Sequence, residues 1–169
     1  MPINQGFLPE FDHEMATTRR FLERVPENKF DWAPHPKSMK LGALAAHLAL
    51  MPGWVKETME KDVLDVAPGG KPMEMPKASN RQELLALFDK NVAAGRAALA
   101  AATDDARWMK SWALQANGQT MFSLPRVAVV RTFVLNHSIH HRAQLGVYLR
   151  LNDVPVPSTY GPSADEQKF

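Results

Sequence analysis

The sequence contains no cysteine among its 169 residues. Disulfide bonds, thiolate nucleophiles and zinc sites with sulfur ligands are therefore excluded. Any transition-metal site in this chain has to be built from imidazole and carboxylate groups. A large excess of one charge is missing too, because 20 lysine and arginine residues stand against 18 acidic residues, for a formal net charge of +2. Without a run of basic residues, nucleic acid is not an expected partner.

Long apolar runs are also missing. No window approaches the roughly 18 consecutive apolar residues of a membrane-spanning helix. The first residues, MPINQGFLPEFDHEM, lack the basic stretch followed by an apolar stretch that marks a signal peptide. We therefore expect a cytoplasmic protein with no membrane partner. Hydrophobic residues make up 45% of the chain, which suits a single domain over residues 1–169 with a real core.

Four segments show the three- and four-residue spacing of apolar side chains that predicts amphipathic helices. The first has its apolar stripe between Phe11 and Val25, the second begins near Leu41, and the third is apolar from Leu84 to Leu99. Pro52 lies inside the second pattern and should kink or end that helix, because proline has no backbone N–H to donate.

The fourth helix is predicted to be the longest. Ser123 is its expected N-cap, Pro125 is tolerated in its first turn, and it should run to about Leu151. Just before it, Asn117-Gly118 between two short runs is typical of a two-residue β-hairpin. The predicted fold class is therefore all-α, a four-helix bundle with a small β-hairpin before the last helix.

Three of the six histidines lie within five positions of this last helix, in the stretch HSIHHRAQL that begins at residue 137. His137 and His141 are four residues apart and share one helix face, which makes them a candidate pair of metal ligands. A His137–His140 pair, at three-residue spacing, also has suitable geometry. His47 lies on the apolar face of the second helix, where a buried imidazole needs a polar partner.

Residue chemistry alone leaves two interpretations of these histidines open. Each can be a hydrogen-bonded core residue, which is the usual role of an isolated inward histidine. Alternatively, one divalent ion satisfies three imidazole nitrogens at once, and three imidazoles with an open fourth position are a known catalytic zinc arrangement. The four-residue spacing carries little weight alone, because six histidines often produce it by chance.

Two stretches of the chain resemble a known family. HPKSMKLGALAAHLALMPGW begins at residue 35 and NHSIHHRAQLGVYLRLNDVPVPSTYGPSADE begins at residue 136. In these stretches, and in order over nearly the whole chain, the sequence resembles the DinB/YfiT-like family of metalloenzymes. The resemblance implies a four-helix bundle and a divalent metal ion bound by His47, His137 and His141. His141 is preferred to His140 because the matching histidine directly precedes an arginine, here Arg142. Zinc and nickel are the expected ions, since imidazole suits both.

The resemblance is compatible with several activities, because family members are related to thiol-dependent transferases, to isomerases that use a low-molecular-weight thiol and to hydrolases. We therefore expect a metal-dependent enzyme with a small-molecule substrate, either a hydrolase or a transferase whose partner is a low-molecular-weight thiol. The alternative is a non-enzymatic metal-binding protein, acting in a stress response or in protein interactions, with a blocked fourth metal position. A homodimer is the alternative to a monomeric protein.

Two residues are candidates for a catalytic role. Gln144 lies on the face of His137 and His141, one turn further on, where it can orient a ligand or bind substrate. The competing interpretation is an ordinary polar residue of the bundle. Tyr160 can fold over the site and offer its hydroxyl, or it can be a residue of a surface turn.

Four other residues have a functional and an ordinary interpretation. Trp54, just after the expected kink, can form a pocket wall, although core packing is the commoner role of tryptophan. Arg142 can bind an anionic substrate, whereas a surface salt bridge is more usual. The acidic residues of the first helix, Asp12 and Glu14, can accept a proton, but a solvated first turn of the helix is the expected setting.

Overall fold

The computed structural model describes residues 1–167, which are mostly helical with one small sheet. The helices are α1 (Ile3–Glu23), α2 (Leu41–Leu50), α3 (Trp54–Glu60), α4 (Arg81–Ala101), α5 (Asp105–Met109), α6 (Arg126–Val129) and α7 (His137–Leu151). The strands are β1 (Val63–Asp65), β2 (Ser111–Ala116) and β3 (Gln119–Pro125). Three 3-10 turns cover Glu27–Lys29, Met51–Gly53 and Pro68–Gly70, and a π-helical segment, Val130–Asn136, joins α6 to α7.

The four longest helices enclose the main core. Helix α1 contacts α4 and α7, and α2 contacts the same two helices. The apolar stripes predicted for the first three helices face this core, and Phe11, Leu48 and Leu84 are completely buried. Within residues 1–167, no helix is both long and apolar enough to cross a lipid bilayer.

The predicted break in the second helix is present. Helix α2 ends at Leu50, the chain makes one 3-10 turn that contains Pro52, and α3 begins at Trp54. The carbonyl oxygen of Pro52 packs so closely on α4 that a Cβ at Gly95 would lie 2.2 Å from it. A side chain at position 95 would therefore push the turn away, so glycine allows α4 to hold the kink in place.

The sheet is larger than expected. Strands β2 and β3 pair antiparallel across Asn117 and Gly118, which both have positive φ angles. Strand β1 adds to the other edge of β2 in a parallel arrangement, which gives the order β1-β2-β3. The sequence did not predict β1, because three residues before a Pro-Gly-Gly turn carry too short a pattern. Its last residue, Asp65, accepts hydrogen bonds from the backbone N–H groups of Asn117 and Gly118 at 3.0 and 2.8 Å.

The predicted start of the last helix is wrong. Ser123 is not an N-cap, because its backbone belongs to β3 and pairs with Ala113. The helix begins at Arg126, after Pro125, whose backbone is still extended. The predicted last helix is also not α-helical throughout, since residues 130–136 form a π-helical segment directly before the histidines. Such segments contain i→i+5 hydrogen bonds and occur often at functional sites.

Candidate metal centre

The structure brings His47, His137 and His141 together. His47 lies in the last turn of α2, while the other two occupy successive turns of α7. The ring centroids are 4.6 Å apart for His137 and His141, 4.8 Å for His47 and His141, and 5.3 Å for His47 and His137. One ring nitrogen from each residue lies within 4.8 Å of the others. The three imidazoles thus converge from two helices that are distant in sequence.

The spacing of the nitrogens fits a shared ion. Nε2 of His141 lies 2.8 Å from Nε2 of His137. Two nitrogens that each bind zinc at about 2.0–2.1 Å can be no more than about 4.2 Å apart, which is twice that bond length. The α7 pair is inside this limit, and all three nitrogens lie within 4.8 Å of one another. The cluster is therefore close to the spacing that one shared ion requires.

Gln144 determines which nitrogen of His141 is free. Its Oε1 lies 2.7 Å from Nδ1 of His141. An amide oxygen can only accept, so Nδ1 carries the proton and the lone pair of Nε2 faces the other histidines. This is the arrangement by which outer residues usually orient a metal-binding imidazole. Gln144 therefore contacts the cluster as an orienting residue, one of the two roles considered for it.

The environment keeps the imidazoles neutral. Burial, together with the neighbouring His141 and His137, lowers the pKa of His47 to about 4. Burial is also the main cause that holds the pKa of His137 and of His141 below the ordinary value of 6.5. Near neutral pH all three are in the unprotonated form that binds metal.

His140 lies outside the cluster. Its side chain is exposed, although its ring centroid is 5.0 Å from that of His141. Of the two pairs that the spacing permits, the structure brings the Nε2 atoms of His137 and His141 together and leaves His140 at the surface.

An aromatic wall closes one side of the cluster. The ring centroid of Trp54 is 5.9 Å from that of His47 and 6.2 Å from that of His137. Phe133, in the π-helical segment, stacks on Trp54 with 4.7 Å between centroids and also contacts His137 at 5.6 Å. Trp54 is therefore a wall residue, as one interpretation held. Sequence reasoning missed Phe133, because α-helical spacing put it on the side of His140.

Tyr160 does not lie at the histidines. Its hydroxyl donates to Oε1 of Glu14 and accepts from Nη2 of Arg142, both at 2.8 Å. Oε2 of Glu14 is 2.7 Å from Nη1 of Arg142, and only 6% and 2% of these two side chains are exposed. We call these three residues the tail cluster. The hydroxyl of Tyr160 is therefore bonded to Glu14 and Arg142, and none of its hydrogen bonds within residues 1–167 reaches a histidine.

The tail cluster also corrects two other expectations. Glu14 is not in a solvated first turn, because α1 already begins at Ile3 and Glu14 faces α7. Arg142 forms no surface salt bridge but a buried one, and Nη1 also donates to the carbonyl oxygen of Glu14 at 3.1 Å and to Oγ1 of Thr18 at 3.2 Å. The cluster therefore ties α1, α7 and the C-terminal tail together, one residue after His141.

Comparison with known proteins agrees with this architecture. The sequence model of the DinB family matches residues 1–168. A DinB-like protein from Bacillus cereus, 20% identical, superimposes with a TM-score of 0.71 over 92% of this chain and 97% of that chain. A DinB-like protein from Bacillus subtilis, 15% identical, gives a TM-score of 0.67 over 96% and 98%. No curated protein matches the sequence. At these identities the two solved structures show a shared fold.

The first prediction concerns the tail cluster. Glu14→Gln should lower the free energy of unfolding by about 3 kcal/mol, because it leaves the buried Arg142 guanidinium without a counter-charge. Asp12→Asn is the matched control, since Asp12 lies on α1 like Glu14 but forms an exposed pair with Arg96 of α4. That change should cost less than about 1 kcal/mol. Urea unfolding of both variants measures the difference, and equal losses would contradict the buried pair.

A second prediction follows from the lowered histidine pKa values. An unfolded chain binds protons on these imidazoles at pH values below about 6.5, whereas folded His47 stays neutral down to about 4. Metal-free protein should therefore lose stability as the pH falls through this window, since the unfolded state takes up more protons. In His47→Gln the loss between these pH values should be smaller. The free energy of unfolding of both proteins is measured against pH with a chelator present. An equal loss of stability in the two proteins would refute the lowered pKa of His47.

Proposed function

The chain is a member of the DinB family, and from this membership and the histidine geometry we propose that it is a metal-dependent enzyme acting on a small molecule. Its metal ligands are His47, His137 and His141. The observation that carries the proposal is the convergence of one nitrogen from each of these residues on a common point. The proposed domain is a single four-helix bundle of DinB type, with the antiparallel β2–β3 pair immediately before its last helix.

Zinc and nickel are the proposed ions. Imidazole nitrogen suits both, and the chain has no cysteine thiolate that would select a softer ion. Gln144 supports metal binding by fixing the tautomer of His141. A bound divalent ion would polarise a substrate group and lower the pKa of a proton on it, as in other metal-dependent enzymes.

The chain's own residues set limits on the reaction. In residues 1–167 no carboxylate joins the three histidines as a fourth converging group, so the site has no built-in general base of that kind. A thiol, with an ordinary pKa near 8.5, loses its proton with less help than water, whose pKa is about 15.7. The arrangement thus favours a thiol-dependent transferase over a hydrolase. Its proposed partner is a low-molecular-weight thiol.

Two neighbouring groups are placed to serve the reaction. The oxygen of Gln144 accepts a hydrogen bond from Nδ1–H of His141, and the amide nitrogen of this exposed side chain can donate to a substrate. On the other side, the stacked rings of Trp54 and Phe133 keep water away from His47 and His137. The substrate therefore approaches from the side that these rings leave open.

Metal loading provides the direct test of the ligands. Protein dialysed against zinc or nickel should hold about one equivalent, and His47→Ala and His141→Ala should lose most of it. His140→Ala is the matched control and should retain the metal, because His140 lies outside the cluster. Metal at 100 times its dissociation constant should add about 2.7 kcal/mol of stability. Equal loss of metal in the His140 variant would overturn the assignment.

The second candidate function is a metal-binding protein without activity, and the fourth metal position separates it from an enzyme. If the position is open, azide or 2-mercaptoethanol added to cobalt-substituted protein should change the visible absorption spectrum in a saturable way. A spectrum that ignores both ligands would favour the non-enzymatic protein. Gln144→Ala serves as a further check, because loss of an orienting residue should weaken metal binding about 10- to 100-fold.

A further inference from the structure

A second feature beside the histidines is a cavity along α2. Its volume is about 590 Å³, within the range of small-molecule binding sites. Its lining includes Ala43, Ala46 and His47 of α2 and residues 75–79 of the loop before α4. We call this space the α2 cavity. It is important because His47 belongs both to its lining and to the histidine cluster.

The lining of the α2 cavity is mostly apolar. Phe30, Met39 and Met75 contribute large side chains, while Ala43 and Ala46 leave room between them. Methionine side chains are flexible and polarisable, so they adapt to ligands of different outline. An apolar ligand group placed here would remove its surface from water, which is favourable in proportion to the area buried.

Charges at the cavity largely cancel. Nζ of Lys40 lies 2.7 Å from Oδ1 of Asp31, and both side chains are mainly exposed. This pair leaves little net charge at that edge of the cavity. Lys77 is the remaining charged lining residue, and it is exposed on the loop. The walls therefore suit an uncharged group better than an anion or a cation.

We propose that the α2 cavity binds an uncharged apolar part of the substrate, an aromatic ring or a branched alkyl group, and thereby places the reacting part beside His47. The inference rests on the proposed function, because it assigns the cavity to the substrate of the same metal site. The inference adds the chemical class of the substrate, which is an apolar compound whose reactive group lies beside His47.

The test uses protein labelled with ¹³C at its methionine methyl groups and benzyl alcohol as the probe. The methyl signals of Met39 and Met75 should shift in a saturable way as benzyl alcohol is added, because both residues line the cavity. The methyl signals of Met109 and Met121, which are exposed but lie outside the cavity lining, should not. No saturable shift, or equal shifts at all four residues, would overturn the proposal.

Two matched variants test the location. Ala43→Phe fills the cavity from an exposed position of α2 and should weaken benzyl alcohol binding at least about tenfold, equivalent to about 1.4 kcal/mol. Ala97→Phe makes the same change at an exposed position of α4, outside the lining, and should leave binding unchanged. Unaltered binding in Ala43→Phe would contradict the assignment.

The charge class is tested with two close analogues. Benzoate and benzylamine keep the ring but carry a negative or a positive charge, so each should bind more weakly than benzyl alcohol. Tighter binding of either one would show that the cavity selects a charged group and would refute the proposal.

The experiments distinguish failure of the cavity proposal from failure of the metal-site proposal. The benzyl alcohol titrations need no metal, so they test ligand binding in the α2 cavity independently. If cobalt(II) does not bind but benzyl alcohol does, the proposed function alone fails. If cobalt(II) binds, its paramagnetism should move the methyl signals of Met39 and Met75, which line the cavity with His47, further than those of Met109 and Met121, which do not. Equal or smaller movement would separate the cavity from the metal site and overturn its assignment to the substrate.

Discussion

The buried ion pair between Glu14 and Arg142 constrains the orientation of α7. A charged pair that is almost completely shielded from water keeps its partners together, because separating them leaves an uncompensated charge in a medium of low polarity. Arg142 directly follows His141, so fixing the guanidinium against α1 also fixes the direction of the neighbouring imidazole. The hydroxyl of Tyr160 joins both charged groups and makes the C-terminal tail part of the same constraint.

The other side of the histidine cluster depends on the kink after α2. Because Gly95 has no side chain, the turn containing Pro52 lies directly against α4. This turn also directs α3 so that Trp54 contacts both His47 and His137. His47 is therefore positioned by close backbone packing, and His137 and His141 by a buried charge pair. The cluster needs both devices, since its histidines come from helices that are separated by about half of the chain.

Sequence patterns predicted those features that depend on local rules. Helical spacing placed His137 and His141 on one face, and the missing N–H of Pro52 predicted the end of α2. Features that depend on tertiary partners were missed or misjudged. Glu14 and Arg142 look solvent-exposed in sequence, because nothing local shows that each provides the counter-charge of the other. The contact of Phe133 with His137 depends on the π-helical segment, which a straight α-helical projection cannot represent. The convergence of the three imidazoles agrees with the ligand set implied by the family resemblance.

The π-helical segment also affects how this protein tolerates changes in length. A π turn accommodates an additional residue within a continuous helix, so losing one residue between 130 and 136 would return the segment to α-helical geometry. Each residue of an α-helix corresponds to a rotation of about 100°. A deletion there would keep the four-residue spacing of His137 and His141 but would turn the pair relative to Phe133 and the sheet behind it. During evolution, insertions and deletions at this point would therefore change the direction of an intact histidine pair, whereas those in the loop before α4 would change the lining of the α2 cavity.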